Sequence, residues 1–261
     1  MVMGILNVTP DSFSDGGRFF DCESAVAHAR RMVADGADII DVGGESSRPG
    51  SDTVPGGEEL ARVLPVVETL SKEIRVPVSI DTYKPKVAEE CLGAGATIIN
   101  DITGLTDRKM AKVAANHGAP AIIMHMKGTP KTMQKEPRYK DVVAEVTGFL
   151  KERVLYANDM GVKETIIDPG LGFGKTTEHN LELIRRLHEL KTVGRPILVG
   201  PSRKSFIGKV TGLPVDARLE GTLSAIAISI NNGADIVRVH DVAECRRAAD
   251  IAYAIRGAGW R

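Results

Sequence analysis

The chain has 261 residues, of which 43% are hydrophobic and only 4% aromatic, so aliphatic side chains must fill most of its core. Its 34 basic and 34 acidic residues cancel, which argues against bulk electrostatic binding to nucleic acid or to an anionic membrane. The sequence has no signal-peptide pattern and no apolar stretch of about 18 residues, so we expect neither export nor a membrane span. The cysteines Cys22, Cys91 and Cys245 match no metal-ligand spacing, and we expect reduced thiols in a cytoplasmic protein.

Short apolar runs alternate with longer segments of helical period along the whole chain. The runs lack polar alternation, which is typical of parallel strands buried on both faces. The predicted strands are Val2–Val8, Asp38–Val42, Val76–Asp81, Thr97–Asp101, Ala121–Met126, Thr165–Asp168, Ile197–Gly200 and Asp235–Val239. The predicted helices cover residues 24–35, 58–73, 84–94, 107–117, 141–160, 178–191, 219–232 and 242–256. Eight such units without a break in composition predict an α/β protein, a single (β/α)8 TIM barrel domain over residues 1–261.

Internal similarity supports a barrel. The segments Gly36–Ile40, Gly95–Ile99 and Gly233–Val237 are near-copies, and in each a glycine is expected to end a helix before the next strand begins. An open doubly wound sheet is the alternative, but no G-x-G-x-x-G pattern follows the first strand. Two connections, Lys127–Lys140 and Pro201–Ala217, exceed the usual length for this class and are expected to be functional.

Polar side chains stand at or just beyond the C-terminal ends of all the predicted strands. A single strand-end aspartate often caps the following helix, but eight ends converging on one mouth indicate a binding site. The residues concerned are Asn7, Asp41, Glu45, Asp81, Asn100, Asp101, His125, Asp168, Ser202, Arg203, Lys204, Arg238, His240 and Asp241.

The residue types narrow the chemistry. Carboxylates, amides and a lysine suit a flat heterocycle whose edge alternates hydrogen-bond donors and acceptors. Arg238 and His240 share one face of an extended segment, and together with Arg48 and Asn7 they suit a phosphate or diphosphate group. Magnesium on such a diphosphate would be expected to take an oxygen ligand such as Asn7. No nucleophile of the Ser-His-Asp or Cys-His type is evident, so we expect a site that positions two substrates and stabilises a charged leaving group.

Two other patterns are not interpreted as functional sites. Residues 170–176 look like a P-loop, but the spacing is one residue short of Walker A. The histidines on predicted helices show no paired ligand spacing and are expected to have surface or packing roles; they are His28, His117, His179 and His188.

Eight segments in order resemble the dihydropteroate synthase family over essentially the whole chain. They are Asn7–Gly17, Asp41–Gly50, Val78–Thr82, Ile98–Gly104, Met124–Gly128, Asp168–Thr176, Gly200–Phe206 and Arg238–Asp241. The resemblance implies a Mg2+-dependent transferase of folate biosynthesis. This enzyme would condense 6-hydroxymethyl-7,8-dihydropterin diphosphate with 4-aminobenzoate and release pyrophosphate. It also implies a homodimer and sensitivity to sulfonamides.

The resemblance also implies a role for each matching position. The pterin-binding residues would be Asp81, Asn100, Met124, Asp168, Phe173, Gly200, Lys204 and Arg238. The diphosphate would be held by Asn7, Arg48, Arg238 and His240, with Asn7 as the metal ligand. The aminobenzoate pocket would comprise Ser47, Arg48, Pro49, Phe173, Ser202 and Lys204. The catalytic residues would be Asp81, Lys204 and Arg238, and the loops Thr9–Gly17 and Ser46–Ser51 would close over the site.

The reacting carbon is an exocyclic CH2 on an electron-rich ring, so loss of the diphosphate leaves a delocalised cation, and we expect a dissociative substitution. One departure is Ser47, which stands where many relatives have threonine, and another is the start of the chain almost on its first strand, without the family's usual N-terminal hairpin. Two other functions remain as alternatives: methyl transfer from methyltetrahydrofolate to a corrinoid protein, and non-catalytic pterin binding.

Overall fold

The computed structural model describes residues 1–9 and 18–257, with residues 18–21 described by their backbone alone. All strand pairs are parallel, in the order β6-β5-β4-β3-β2-β1-β8-β7. A further parallel bridge between Ile167 and Ile197 joins the two outer strands and closes the barrel, as predicted. The strands are β1 (Val2–Asn7), β2 (Ile39–Gly43), β3 (Val78–Asp81), β4 (Ile98–Asp101), β5 (Ala121–Met124), β6 (Thr165–Asp168), β7 (Leu198–Val199) and β8 (Ile236–Val239).

Helices surround this barrel, and within residues 18–257 none is long and apolar enough to cross a membrane. The α-helices are α1 (Arg18–Ala34), α2 (Gly56–Glu73), α3 (Pro85–Gly93), α4 (Arg108–His117), α5 (Val142–Asp159), α6 (Thr177–Arg185), α7 (Ser205–Thr211), α8 (Leu219–Asn231) and α9 (Val242–Ile255). Among the described residues, 3-10 helices cover Leu187–Val193 and Val215–Ala217.

The sequence prediction was wrong in two of these connections. The predicted helix over 178–191 is two elements, because α6 ends at Arg185 and a 3-10 helix follows. At the break, the Arg186 guanidinium bonds to Asp141 and Glu189, and the link to Asp141, which precedes α5, cannot be read from local periodicity. The predicted loop 201–217 contains α7, a helix too short for its period to be recognised.

The repeated glycine segments end their helices in the same way, as predicted. Gly36 has a φ of +100° and Gly233 a φ of +117°, and in each case the next residue closes a wide backbone turn. Ala37 N donates to Met32 O at 2.9 Å, and Ala234 N donates to Ser229 O at 2.9 Å. Of the two hydrogen bonds that define a Schellman motif, these are the ones that span more residues. They satisfy a carbonyl of the last helical turn, so the chain can leave the helix and enter the strand.

Two apolar layers hold the strands in place. One lies between the sheet and the helices, and the other fills the lower half of the barrel interior. The interior layer consists of Met3, Ile39, Ile98, Ile122, Leu198 and Ile236, with Ile166 packed against it. Because successive side chains of a strand alternate between faces, the residues two positions further on face the same interior. The apolar layer therefore forms a floor on which the next layer of side chains stands.

Candidate active site

The layer above this apolar floor carries much of the predicted site. Two positions beyond the floor residues stand Ile5, Asp41, Asn100, Met124, Asp168, Gly200 and Arg238. We call these residues, with Asp81 of β3, the mouth layer. Asp81 pairs in register with Asn100, and Met124 pairs with Asp168. Two residues further along the strands, the interior-facing side chains thus change from apolar to largely polar at the C-terminal end of the barrel.

Arg238 connects three strands across the mouth layer. Its Nε donates to Asp41 Oδ2 at 2.6 Å, and its Nη2 donates to Asp81 Oδ2 at 2.6 Å. Asn100 Nδ2 donates to the same Asp41 oxygen at 3.0 Å. Asp41 is fully buried, and its second oxygen, Oδ1, has no hydrogen-bond partner among the described residues. The result is a half-buried guanidinium shared by two carboxylates on neighbouring strands.

Burial shifts the proton affinity of the acidic groups in this layer. It raises the pKa of Asp81 to about 7, although the Arg238 charge acts in the opposite direction and Asp41 adds to the rise. Burial also raises the pKa of Asp168, against the hydrogen bond that its Oδ1 accepts from Gly170 N at 2.7 Å. Both carboxyls therefore hold a proton more readily than an exposed aspartate does, and a ligand's donors and the nearby cations influence their charge.

Lys204 reaches the mouth from the loop after β7. Its Nζ donates to Leu171 O and lies 4.2 Å from the centre of the Phe173 ring. Burial lowers the pKa of Lys204 to about 8, while Asp168 acts to raise it. The close approach requires glycine at position 172, because a Cβ there would lie 2.8 Å from Lys204 Cδ and the local φ is +83°. The predicted residues Lys204 and Phe173 are thus in contact.

His240 and Ser202 form a second pair at the mouth. Ser202 Oγ lies 3.0 Å from His240 Nδ1, and the same Oγ accepts the His240 backbone N–H at 3.2 Å. Burial, followed by the charges of Arg238 and Arg203, lowers the pKa of His240 to about 4. The imidazole is therefore neutral at pH 7. In the tautomer whose Nδ1 accepts the Ser202 hydroxyl, the ring proton of His240 lies on Nε2, where it can be donated to an anion.

A cavity of about 770 Å³ opens beside this pair, between α1 and the ends of β1 and β8. It is lined by Asn7 and His240 together with basic side chains, among them Arg31 and Arg203. The Arg203 guanidinium is engaged, since its Nε donates to Asp241 Oδ2 at 3.0 Å. Asp241 also lines the cavity, but its carboxylate is paired with Arg203, so the other basic side chains of the lining suit the phosphate part of a ligand.

The loop after β2 contributes the remaining predicted residues. Ser47 is half-buried, whereas Arg48 and Pro49 are exposed. In the part of the chain that the structure describes, the Arg48 guanidinium makes no hydrogen bond or ion pair, although its charge contributes to the lowered pKa of His240. The structure therefore does not join Arg48 or Pro49 directly to Phe173 and Lys204. Of the other predicted loop, Thr9–Gly17, residues 10–17 lie outside the described residues.

Comparison with known proteins agrees with this arrangement. Residues 3–240 match the family model described as pterin binding enzyme. A dihydropteroate synthase of Clostridium beijerinckii is 50% identical over 252 residues, which covers 95% of this chain and 91% of the relative. The chain belongs to the dihydropteroate synthase family.

Solved structures of the family have the same fold. The Yersinia pestis dihydropteroate synthase in complex with a sulfonamide drug is 44% identical, with a TM-score of 0.93 over 99% of this chain and 94% of that one. The Xanthomonas albilineans dihydropteroate synthase in complex with 7,8-dihydropteroate is 42% identical, with a TM-score of 0.88 over 98% and 93%. These findings confirm the predicted family, TIM-barrel fold and transferase class.

Two groups in this dihydropteroate synthase family member were given no individual role from the sequence. Asp41 was recognised as a strand-end carboxylate, but its pairing with Arg238 was not foreseen. Lys175 is only 2% exposed, and its Nζ lies 2.9 Å from His125 Nδ1 and 3.0 Å from Phe173 O. Burial lowers the pKa of Lys175 to about 7. In the sequence, Lys175 is the lysine of the P-loop-like segment. In the structure its ammonium bonds to protein groups.

Proposed function

We propose that this protein joins the diphosphate ester of 6-hydroxymethyl-7,8-dihydropterin to 4-aminobenzoate and releases pyrophosphate. The observation that carries the proposal is the mouth layer, in which carboxylates, an amide and a guanidinium from five strands stand together above an apolar floor. A pterin is flat and presents an edge of alternating donors and acceptors, so it needs such a set of groups in one plane. The family relationship supports the same substrate class.

In the proposed complex, the pterin edge binds to the half-buried Asp81 and the buried Asn100 and Asp168. Met124 and Gly200 would form apolar walls, since Met124 is only 4% exposed. Lys204 and Phe173 would bound the ring on the side of the acceptor, because they already pack against each other. The Arg238 guanidinium would cover the ring face while it stays bonded to Asp41.

The diphosphate would extend from the pterin toward the cavity beside His240. Arg238, His240 and Arg48 would bind its oxygens, with the neutral His240 donating from Nε2. The residues present also fit Mg2+: Asn7 lines this cavity and offers one amide oxygen, and Mg2+ commonly takes one or two protein oxygens together with waters and substrate phosphates. A metal ion bound in this way would neutralise negative charge on the leaving group.

The acceptor would bind between Lys204 and the loop after β2. Ser47, Arg48 and Pro49 would cover the aminobenzoate, and Ser202 and Phe173 would complete its pocket. The side chains of Arg48 and Pro49 are exposed, so an acceptor bound beneath them would bury part of their surface. Closure of this loop would exclude water from the reacting carbon.

The proposed reaction is a dissociative substitution. The bond between the exocyclic CH2 and the diphosphate oxygen breaks heterolytically, and the electron pair leaves with pyrophosphate. Asp81 and Asp168 stabilise the cation left on the pterin, and the residues that clamp the diphosphate stabilise the departing charge. The arylamine nitrogen then attacks the CH2 group, forms the new C–N bond and loses one proton.

Pyrophosphate release is the direct test of this proposal. The pterin diphosphate is incubated with the protein and Mg2+, with and without 4-aminobenzoate, and the product is identified by mass. We expect turnover that depends on the aminobenzoate, a product of dihydropteroate mass, and competition between a sulfonamide and 4-aminobenzoate. Pterin binding without release, or release without a coupled product, would contradict the proposal and favour the non-catalytic or methyl-transfer alternatives.

We also propose that the protein is a cytoplasmic homodimer. Cys22, Cys91 and Cys245 are all free thiols, which suits a reducing compartment. Exposed large apolar side chains occur on successive elements from α6 to α9, and such residues favour association. They are Leu181, Val210, Leu213, Val215, Ile228, Ile251 and Ile255.

A further inference from the structure

The sequence predicts that Glu45 lies at the barrel mouth, but its carboxylate bonds to residues outside the mouth layer. Its Oε1 accepts the hydroxyl of Tyr83 at 2.8 Å, and its Oε2 accepts a hydrogen bond from the Lys84 ammonium. Tyr83 and Lys84 follow the end of β3, so these bonds lie beside the mouth and not across it. The function proposed above therefore leaves this conspicuous carboxylate without a role.

Lys84 carries the interaction further, to the helix behind the loop. Its Nζ bridges Glu45 and Glu59, and Glu59 of α2 is only 1% exposed. Burial by itself would lower the pKa of Lys84, but the hydrogen bonds to the two carboxylates raise it above its ordinary value. Removing one partner of such a buried ionic group leaves the others uncompensated, so the cluster strongly favours one arrangement.

The same cluster fixes both ends of the loop after β2. Glu45 Oε2 also accepts the backbone N–H of Val54 at 3.0 Å, which ties the start of the loop to its end. Arg62 Nη1 donates to Gly44 O at 2.7 Å and attaches the start to α2 as well. Residues 47–50 lie between these fixed points, and three of the four are exposed. The loop thus has a rigid base and an exposed tip.

We propose that Glu45 and Lys84 are positioning residues that hold this loop base so that Ser47, Arg48 and Pro49 meet the arylamine acceptor. The inference rests on the function proposed above, because it assigns the loop tip to the acceptor. Neither residue touches a substrate in this proposal. Since Asp81, Asn100 and Asp168 stand on strands, a loose loop base leaves the pterin site in place. It misplaces the acceptor and admits water to the reacting carbon.

The test uses Lys84→Met, which removes the ammonium and retains the stem, and Glu45→Gln, which removes one carboxylate charge. Lys131→Met is the matched control, because Lys131 makes an exposed ion pair with Asp52 of the same loop, at 3.0 Å. For Lys84→Met we expect the KM for 4-aminobenzoate to rise about tenfold or more and the KM for the pterin diphosphate to change less than about twofold. We also expect more pyrophosphate to be released per dihydropteroate formed.

Lys84→Arg, which keeps the charge, should recover part of the acceptor affinity. If Lys84→Met does not fold, Glu45→Gln carries the same comparison with a smaller change in volume. Equal changes in the two KM values, or an equal effect of Lys131→Met, would overturn the inference. Absence of turnover in the wild-type protein would instead contradict the proposed function, so the two failures are distinguishable.

Discussion

Arg238 is held in two directions by the protein itself. Its Nε and Nη2 bond to carboxylates on β2 and β3, so its guanidinium plane is fixed across the barrel mouth. Because Asp81 already accepts a bond from Arg238, a pterin must share this carboxylate or displace the arginine from it. Asp41, which is fully buried, then remains as the permanent partner of Arg238.

Replacement of Asp41 tests this division of roles. Asp41→Asn removes the negative charge of the carboxylate that Arg238 Nε binds, and leaves the Arg238 guanidinium with Asp81 as its carboxylate partner. We expect the free energy of unfolding to fall by about 3 kcal/mol and pterin binding to weaken about tenfold or more. Denaturant unfolding and a pterin titration measure the two effects. Asp107→Asn, at the N-cap of α4, should be near neutral because asparagine caps equally well. Equal unfolding midpoints for Asp41→Asn and the wild type would contradict the expectation.

Pterin affinity should depend on pH through two groups. Below about pH 7 a proton on Asp81 removes an acceptor, because the pKa of this group is raised to about 7. Above about pH 8 Lys204 loses its charge, because its pKa is lowered to about 8. We therefore expect a bell-shaped dependence of pterin affinity on pH, with its maximum between these two values.

The Kd measured from about pH 6 to about pH 9 gives this profile. Asp81→Asn should flatten the acid side, and Lys204→Met should flatten the alkaline side. A profile that is flat in the wild type, or that the two variants leave unaltered, would show that other groups control pterin binding.

At the scale of elements, the loop between β6 and α6 is the part of the site with the least room for change. Gly170 has a φ of +68°, and a Cβ there would lie 1.9 Å from His125 O. Lys175 closes the same loop, with its ammonium 2.9 Å from His125 Nδ1 and 3.0 Å from Phe173 O. The end of β5 and the wall formed by Phe173 are thus held as one unit.

Two glycines of similar φ separate backbone strain from steric contact. Gly118 has a φ of +62°, and no atom of the described residues lies within 4 Å of the place that a Cβ would occupy. Gly118→Ala should therefore lower the free energy of unfolding by about 1 kcal/mol, from the left-handed conformation alone. Gly170→Ala has the same backbone penalty and must also move the carbonyl of His125, which follows β5. We therefore expect the free energy of unfolding to fall by about 3 kcal/mol or more, with a marked loss of turnover. Denaturant unfolding and steady-state kinetics measure both variants. Similar decreases in the free energy of unfolding for Gly118→Ala and Gly170→Ala would mean that the loop between β6 and α6 can move to accommodate the methyl group.

At the scale of the whole molecule, the exposed apolar residues are concentrated on one side of the barrel. Leu181, Val210 and Ile228 belong to α6, α7 and α8, and these three helices contact one another. Val210 is 61% exposed and Ile228 52% exposed. Side chains of this size and exposure favour a partner surface, and a second copy of the chain would provide a self-complementary one.

The dimer proposal predicts the effect of a charge on this side. Val210→Asp combined with Ile228→Asp should give a monomer by light scattering or sedimentation, because two aspartates would be buried against the partner. Lys86→Asp, on the exposed surface of α3, introduces the same residue elsewhere and should leave the dimer intact. A monomeric wild type would contradict the proposal, and so would a double variant that remains dimeric.

The barrel and the polar character of its mouth could be predicted from the sequence alone. Apolar runs without alternation indicate buried parallel strands, and polar residues such as Asp81, Asn100 and Arg238 interrupt this apolar pattern at or near the C-terminal ends of the strands. These signals are local, since each requires only a few neighbouring residues. The short helix α7 and the break after α6 could not be predicted, because they depend on packing and on ion pairs with residues distant in the chain.

The tertiary structure decided which acidic strand ends belong to the mouth. Asp41, Glu45 and Asp101 follow similar apolar runs, but each has a different partner. Asp101 accepts bonds from its own loop at Thr103, Glu45 binds Lys84, and Asp41 binds Arg238, which is 197 residues away. Two of these carboxylates acquire their roles from a cation that folding brings to them, and Arg238 lies too far along the chain from Asp41 for a local pattern to show the pair. The sequence by itself therefore determined the fold, the family and the polar mouth, and only the closed barrel assigned each charge its partner.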